Sequence, residues 1–568
     1  MSASQDLSNE KGMPPNGKYQ GYQERFDVRL PDRTWPDQLI LKAPAWCSVD
    51  LRDGNQALAK PMTVEQKLEF YRMLVSIGFK QIEIGYPAAS AVEHEFARTL
   101  IEERLIPAGV KPQVLTATRE DLVQKTFESI RGGPETIVHV YNSTSKVQRE
   151  IVFKMSKDET MERAVEAARL VRRLSDYHST PVQYQYSPES FTGTERDFAL
   201  DVCNAVIEAW EPTPEHKLII NLPATVEMST PNIYADQVEW ISRYLKRRDS
   251  VILSVHPHND RGTAVAASEL ALMAGAERIE GTLFGNGERA GNVDLVILAL
   301  NLFTQGVDPG INLKDLPKVR EVYERCTGQK VPDRHPYGGE ASPIAYSGTH
   351  QTAIKRCLEQ RAMTQEPLWN VAYLPIDFED VGRSYAPIII NSQSGKNGIA
   401  YVLETELGFK IPKEMEGEVS SVVQRWCDSH GTTISPDLMK GLFEEEFVRC
   451  AGVFKYCSFK HLAQHEDACG TKVNLALYIN NHLIEQEGAG NGPIDAAVDA
   501  LQKLGKEVSV VSFSEHSLGA GSAASAVAYV QVACNGVTRF GVGIDTSTEV
   551  AGVKALISAL NRTVPYVT

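Results

Sequence analysis

From about residue 40 to 305, short apolar runs alternate with longer segments whose apolar positions recur at helical spacing. The runs predict strands at 45–51, 80–85, 113–117, 136–141, 182–186, 218–222, 251–255 and 278–284. Segments such as 63–77 and 160–175 predict helices, the first with a capping-type start, Thr63 followed by Gln66. Eight β-then-α units predict an α/β fold, a (β/α)8 TIM barrel. A doubly wound open sheet is the competitor, but no Gly-rich dinucleotide turn follows the first strand. Past 305 the pattern becomes irregular, with Gly338-Gly339 and several prolines, and predicts a helical linker region with loops. Beyond about 440 a repeat emerges. A strand-like run at 473–484 leads through Gly488-Ala489-Gly490-Asn491-Gly492-Pro493 into a helix at 494–504. Runs at 526–534 and 538–541 then lead through Gly541-Val542-Gly543 into a helix at 549–560. The expected layout is an N-terminal tail over 1–38, the barrel over 39–310, linker subdomains over 311–435, and a C-terminal α+β regulatory domain over 436–568.

Composition narrows the class. The chain has 568 residues, 42% hydrophobic and 23% charged, ordinary for a soluble globular protein and too long for a single core. A formal charge of −15 offers no basic stripe for phosphate backbones, which argues against nucleic acid. No stretch approaches the roughly 18 consecutive apolar residues of a membrane span. Residues 1–25 resemble neither a signal nor a transit peptide and read as a mobile tail. Nine cysteines, scattered from Cys47 to Cys534, fit a reducing compartment, so a cytoplasmic enzyme is expected. Cys457, His461, His465 and Cys469 lack a standard zinc-finger spacing and read as packed or solvent-facing residues.

Chemistry enters with His256-Pro257-His258, at the end of the seventh predicted strand. Side chains two apart on a strand share a face, so the two imidazoles form half of a divalent-metal site. A lone His-x-His is common on surfaces, but a barrel places its chemistry just after the strands, on one face. Strand one runs into Leu51-Arg52-Asp53-Gly54, strand four spans His139-Val140-Tyr141-Asn142, and strand five ends in Ser187-Pro188-Glu189. Strand six ends in Asn221-Leu222-Pro223-Ala224-Thr225 and strand eight in Gly285-Asn286-Gly287-Glu288-Arg289-Ala290-Gly291-Asn292. Singly, these are a surface ion pair, a helix cap or turn chemistry. Together on one rim they read as an active site.

Asp53 with His256 and His258 makes a two-His, one-carboxylate metal site, with Asn292 as a weaker fourth ligand. Nitrogen and oxygen donors without thiolate suit Zn2+, Mn2+, Mg2+ or Fe2+ alike. A 2-oxo acid would chelate such an ion and become a better electrophile. Arg52 is placed to hold the resulting oxyanion or an enolate, and Glu189 is the best acid/base candidate on the rim.

These motifs resemble those of the 2-isopropylmalate synthases, in particular their longer bacterial and fungal type. The likeness runs from about residue 31 to the C-terminus. It is carried by the rim motifs together with Ile82-Glu83-Ile84-Gly85-Tyr86-Pro87, Ser347-Gly348-Thr349-His350-Gln351, Tyr373-Leu374-Pro375-Ile376-Asp377 and Asn391-Ser392-Gln393-Ser394-Gly395-Lys396. Two positions depart from the family pattern: Ala372 where Pro is usual, and Asn397 where Gly is usual.

The resemblance implies condensation of acetyl-CoA with 3-methyl-2-oxobutanoate, then thioester hydrolysis to 2-isopropylmalate and CoA. It implies Asp53, His256, His258 and Asn292 around a divalent Mg, Mn or Zn ion, and allows an activating monovalent cation such as K+. It puts Arg52, His139, Ser187 and Thr225 around the oxo acid and Glu189 near the transferred proton. His350 and Tyr373 gain a role across a homodimer, although spacing alone reads them as a solvated or packed histidine and a core tyrosine. Either Glu189 or His350 then serves as the enolising base, the other serving hydrolysis.

The resemblance further implies that leucine binds the C-terminal domain and inhibits the barrel. From the residues alone, Gly490, Gly492 and Gly543 supply only loops before helix N-termini, where N–H groups can hold a carboxylate. Homocitrate and citramalate synthases share the barrel and the chemistry and differ in which oxo acid fits, a pocket difference as small as one methyl. More distant readings are a two-His, one-carboxylate iron oxygenase and an amino-acid sensor on an inactive barrel.

Overall fold

The computed structural model describes Tyr22 and residues 29–385, 390, 394–463, 470–519, 521 and 524–564. Most of the expected tail, 391–393 of the Asn391–Lys396 motif, and His465 and Cys469 lie outside these residues. The chain forms two compact units. One runs to Ser342 and takes up Phe378–Ser384; the other comprises Pro343–Asp377 and the chain from Tyr385 onward.

The first unit is the closed parallel barrel β1(Ala45–Ser48), β2(Gln81–Gly85), β3(Lys111–Ala117), β4(Thr136–Ser143), β5(Val182–Glu189), β6(Leu218–Ala224), β7(Val251–Pro257) and β8(Arg278–Gly281). β8 closes on β1 with Ala45 opposite Arg278 and Ser48 opposite Gly281. Helices between strands start where the side chains permit. Thr63 and Gln66 form a reciprocal cap on Val64–Ser76, and Ser156 with Glu159 does the same for Lys157–Tyr177. All of β6 is buried, as a parallel strand covered on both faces should be.

Two strands are shorter than the apolar runs suggested. β1 stops at Ser48 because Val49 O accepts the N–H groups of Asp53 and Gly54, winding Asp50–Gly54 into a π-turn. β8 stops at Gly281, and Leu283–Gly285 coils with Phe284 in the left-handed region (φ 55°). At the other end, residues expected in the tail are docked. Arg33 pairs with Asp236 at 2.7 Å, and the Trp35 indole donates to the same carboxylate at 2.8 Å.

In the second unit, helices Gly348–Thr364, Lys396–Thr405, Glu416–His430 and Pro436–Phe443 precede a two-fold repeat. Residue 397 lies in the first turn of a helix. Each repeat is three antiparallel strands and a helix. The first has β9(Phe454–His461), β10(Thr471–Ile479), β11(His482–Gly490) and Pro493–Lys503. The second has β12(Val508–Leu518), β13(Ser525–Cys534), β14(Val537–Asp545) and Thr548–Thr563. The run at 473–484 is thus a hairpin and not one strand: Asn480 and Asn481 both take positive φ (50° and 67°), the two-residue turn that matches strand twist. β13 serves two cores by alternation, with Ala528, Val530 and Val532 facing one and Val527 and Tyr529 facing the other.

The Gly-x-Gly pairs are not turns. Gly488 and Gly490 end β11, and Gly541 and Gly543 lie within β14. A Cβ on Gly541 would fall 2.1 Å from Ala559 N, and one on Gly543 would fall 2.0 Å from Ala551 O. These glycines let a helix rest directly on the strand. Gly492 alone stands at a helix N-cap, followed by Pro493.

Candidate metal centre and active site

The π-turn after β1 lifts Arg52 and Asp53 to the barrel mouth, and the end of β7 brings His256 and His258 beside them. Asp53 Oδ2 lies 3.5 Å from His256 Nε2 and 3.6 Å from His258 Nε2. Among the described residues this is the one group of three His, Cys, Asp or Glu side chains able to hold a metal ion, its ligand atoms all within 4.8 Å of one another. His256 donates from Nδ1 to Glu280 Oε2 at 2.8 Å, which turns Nε2 toward Asp53. The Asn292 amide donates to Asn286 O at 2.9 Å, leaving its Oδ1 2.7 Å from His256 Nε2. Asp53 Oδ2 and His258 Nδ1 are buried without a hydrogen-bond partner. A buried, unpartnered carboxylate oxygen between two imidazoles fits a divalent cation.

The electrostatics agree. Burial pulls Asp53 toward protonation, but Arg52 and the two imidazoles outweigh it and hold the carboxyl well below the ordinary carboxylate range. Burial opposes charge on His256, yet the nearby Asp53 carboxylate and the bond to Glu280 win and push its pKa up to about 10. His258, buried and facing a charged His256, is pushed down to about 4. At neutral pH the group therefore keeps one proton, on His256, where positive charge is wanted. Cation binding must expel it. We expect release of about one proton per cation, with affinity rising roughly tenfold per pH unit through neutrality. Calorimetry in two buffers of different ionisation heat reads this directly; a heat independent of buffer would put the proton elsewhere.

Behind the ligands runs a buried polar relay. Arg52 donates to Asp53 Oδ1 and, through Nε, to Glu83 Oε2, each at 2.5 Å. Glu83 Oε1 accepts from His139 Nδ1 at 2.8 Å, so His139 Nε2 accepts the Ser187 hydroxyl at 2.7 Å. Burial would neutralise Glu83, but Arg52 and His139 hold it ionised. Glu280 Oε1 accepts from Gln113 at 2.9 Å, Gln185 at 2.7 Å and Arg278 at 2.8 Å. Sequence reasoning assigned none of Glu83, Gln113, Gln185, Arg278 or Glu280. Their signal was polar side chains at alternate positions of buried strands, which in a closed barrel point inward.

Arg52, Asp53, His139, Ser187, Glu189, Thr225, His256 and His258 all line one cavity of about 190 Å3, with Tyr86, Tyr141 and Arg289 among its other walls. The Ser143 hydroxyl donates to Glu189, and Thr225 Oγ1 accepts Ser190 N at 2.9 Å. Asn292 sits behind His256 rather than on the cavity wall. His350 and Tyr373 belong to the second unit, where their rings stack at 3.9 Å; Tyr373 holds a left-handed backbone (φ 65°). His461, in the same unit, bonds Glu549 at 2.8 Å.

Three family profiles match the chain: "HMGL-like" over 43–322, "Alpha-isopropylmalate synthase, post-catalytic domain-like" over 344–404, and "LeuA allosteric (dimerisation) domain" over 433–564. A 2-isopropylmalate synthase of Clostridium acetobutylicum is 48% identical over 552 residues, covering 96% of this chain and 99% of that protein. One of Ralstonia nicotianae is 50% identical over 540 residues, covering 94% and 93%. Among solved structures, a hydroxymethylglutaryl-CoA lyase of Pseudomonas aeruginosa aligns at a TM-score of 0.43 and 20% identity, over 53% of this chain and 96% of that one.

Proposed function

This chain belongs to the 2-isopropylmalate synthase family, and on that premise we propose that it condenses acetyl-CoA with 3-methyl-2-oxobutanoate and hydrolyses the thioester, giving 2-isopropylmalate and CoA. As a member of that family it is an enzyme. The observation that carries the reading is the buried Asp53–His256–His258 group with Arg52 beside it in one cavity.

A divalent cation held by Asp53, His256 and His258, with Asn292 nearby, would supply Lewis acidity to the keto group of the oxo acid. Arg52 is fixed by two carboxylates, so its guanidinium is oriented in advance toward a developing oxyanion. Thr225 Oγ1 accepts a backbone N–H, which leaves its own proton free to donate to the oxo-acid carboxylate. Ser187 spends its proton on His139 and accepts from Asn221 at 3.0 Å, so the pair shapes the wall rather than offering a donor. Glu189, on the cavity wall, and His350 divide the two proton duties, removal from the acetyl methyl and activation of the hydrolytic water. A homodimer supplying His350 and Tyr373, and leucine inhibition through the 433–564 region, belong to the same proposal.

The test is CoA thiol release from acetyl-CoA with 3-methyl-2-oxobutanoate, pyruvate and 2-oxoglutarate in parallel, with and without chelator and leucine. Fastest release with 3-methyl-2-oxobutanoate, lost with chelator and lowered by leucine, is expected. A preference for pyruvate or 2-oxoglutarate would reject the oxo acid and keep the chemistry. Undiminished rates in millimolar leucine would remove the regulatory claim.

A further inference from the structure

Glu227 is a buried acid of the barrel rim that the reaction above leaves unused. It is 6% exposed and stands two residues after Thr225, in the loop that follows β6. Its carboxylate turns to the next loop, after β7. Oε2 accepts Arg261 N at 2.5 Å and Thr263 N at 3.5 Å, and Oε1 accepts the Thr263 hydroxyl. The bond is returned in the other direction, because Asp260 Oδ2 accepts Glu227 N at 2.9 Å. A third loop, after β8, closes the set: Arg289 donates from Nε to Asp260 Oδ1 at 2.7 Å and from Nη2 to Thr225 O.

Polar bonds have to hold the β6 loop, because Val226 is exposed and gives it no apolar anchor. On its far side Val226 O accepts the Thr192 hydroxyl at 2.8 Å. On the near side the Glu227 carboxylate is buried against N–H donors that lead into the helix Ala264–Met273, whose positive end favours it. The end of β7 is anchored without Glu227. His258 N donates to Ala224 O at 3.1 Å, Val293 N donates to Pro257 O at 2.9 Å, and His258 bridges to Asn292. Glu227 therefore ties the loop to a fixed neighbour. The fixed segment carries His258 and the tied loop carries Thr225, and both side chains line the catalytic cavity.

Resting on the synthase reading above, we propose that Glu227 is a positioning residue for the oxo acid. It does not line the cavity itself. It sets the span between His258 and Thr225, so that an oxo acid seated at the cation ligands meets the Thr225 hydroxyl with its carboxylate. A shift of about 1 Å at such a contact costs on the order of a hundredfold in rate. Glutamine can replace the acid here: its amide oxygen accepts Arg261 N, and its amide donates to the Thr263 hydroxyl, which turns to accept. Alanine cannot, since it leaves the Arg261 and Thr263 donors without their acceptor.

The experiment compares the wild type with Glu227→Ala, Glu227→Gln and Thr263→Ala. Thr263 makes no side-chain bond to its own helix, so the last variant loosens the latch without uncapping that helix. With Glu227→Ala, KM for the oxo acid should rise roughly tenfold to a hundredfold, while KM for acetyl-CoA and cation affinity stay within about threefold. Calorimetric affinity for the oxo acid should fall by the same factor. Thr263→Ala should raise that KM about threefold to tenfold, and Glu227→Gln should restore it. In a Thr225→Val background, Glu227→Ala should add less than about threefold, because the residue it positions is already gone. Equal losses in both backgrounds, or a glutamine as damaging as alanine, would overturn the proposal. So would a Glu227→Ala chain that fails to fold beside a Thr263→Ala chain with wild-type KM. A wild type inactive on every oxo acid sinks the synthase reading as well; an active wild type matched by Glu227→Ala sinks the positioning role alone.

Discussion

Asp53→Asn should lower metal-dependent turnover by roughly a thousandfold or more in a chain that still folds. The substitution keeps the side chain's volume and its place beside Arg52 but removes the one carboxylate among the three ligand side chains. Two neutral imidazoles and an amide oxygen then hold a divalent ion poorly. The fold should tolerate the change. Arg52 retains Glu83 at 2.5 Å, His256 retains Glu280 at 2.8 Å, and Asp53 Oδ2 had no hydrogen-bond partner to lose. Metal content per folded chain is the deciding readout, with thermal unfolding as the control. Full metal content with lost turnover would make Asp53 a reaction residue and not a ligand. Lost metal with normal turnover would end the metal-dependent reading altogether.

How much of this was legible in the sequence depends on how many physical roles a residue type can play. The barrel was legible because a buried parallel strand needs an unbroken apolar run: the run predicted at 218–222 is β6, Leu218–Ala224, buried throughout. The rim was legible because a barrel concentrates polar motifs at one set of strand ends: of nine rim residues named from the sequence, eight line one cavity, and Asn292 stands behind His256. The inner acids were not. Glu83 between Ile82 and Ile84 reads as an outward position on an alternating strand until barrel closure turns that face inward.

The Gly-x-Gly pairs failed for a related reason. Glycine marks a turn when its backbone freedom is used, but here its missing Cβ is used. The signal lay fifteen residues or so further on, in Ala551, Ala555 and Ala559, one helical turn apart and resting on Gly541 and Gly543. Ala496 and Ala500 meet Gly488 in the same way in the first repeat. The pairing of His350 with Tyr373 had no local signal, since it joins a helix to a left-handed loop residue 23 positions later.

Arg278→Met should be the most damaging single change to the barrel, costing about 3–5 kcal/mol. Its guanidinium is fully buried and donates to Ser254 Oγ at 2.9 Å, Glu280 Oε1 at 2.8 Å, Gln113 Oε1 at 2.7 Å and Gln81 Oε1 at 2.5 Å. Burial alone would neutralise Glu280; Arg278, then His256, keep its pKa well below the carboxylate range. Without Arg278 the Glu280 carboxylate faces several amide donors and too little positive charge, so its pKa in the folded state should rise. A folded state that binds more protons than the unfolded chain loses stability as pH increases, so the deficit should be larger at pH 8 than at pH 5. Arg278→Met combined with Glu280→Gln should recover much of the loss, because the pair is worth less than the cost of leaving one member alone. Chemical denaturation of the four chains at both pH values closes the cycle. Additive single effects would mean that Arg278 stabilises through packing. A recovered fold that still fails to hold metal would assign Glu280 its second duty, orienting His256 toward Asp53.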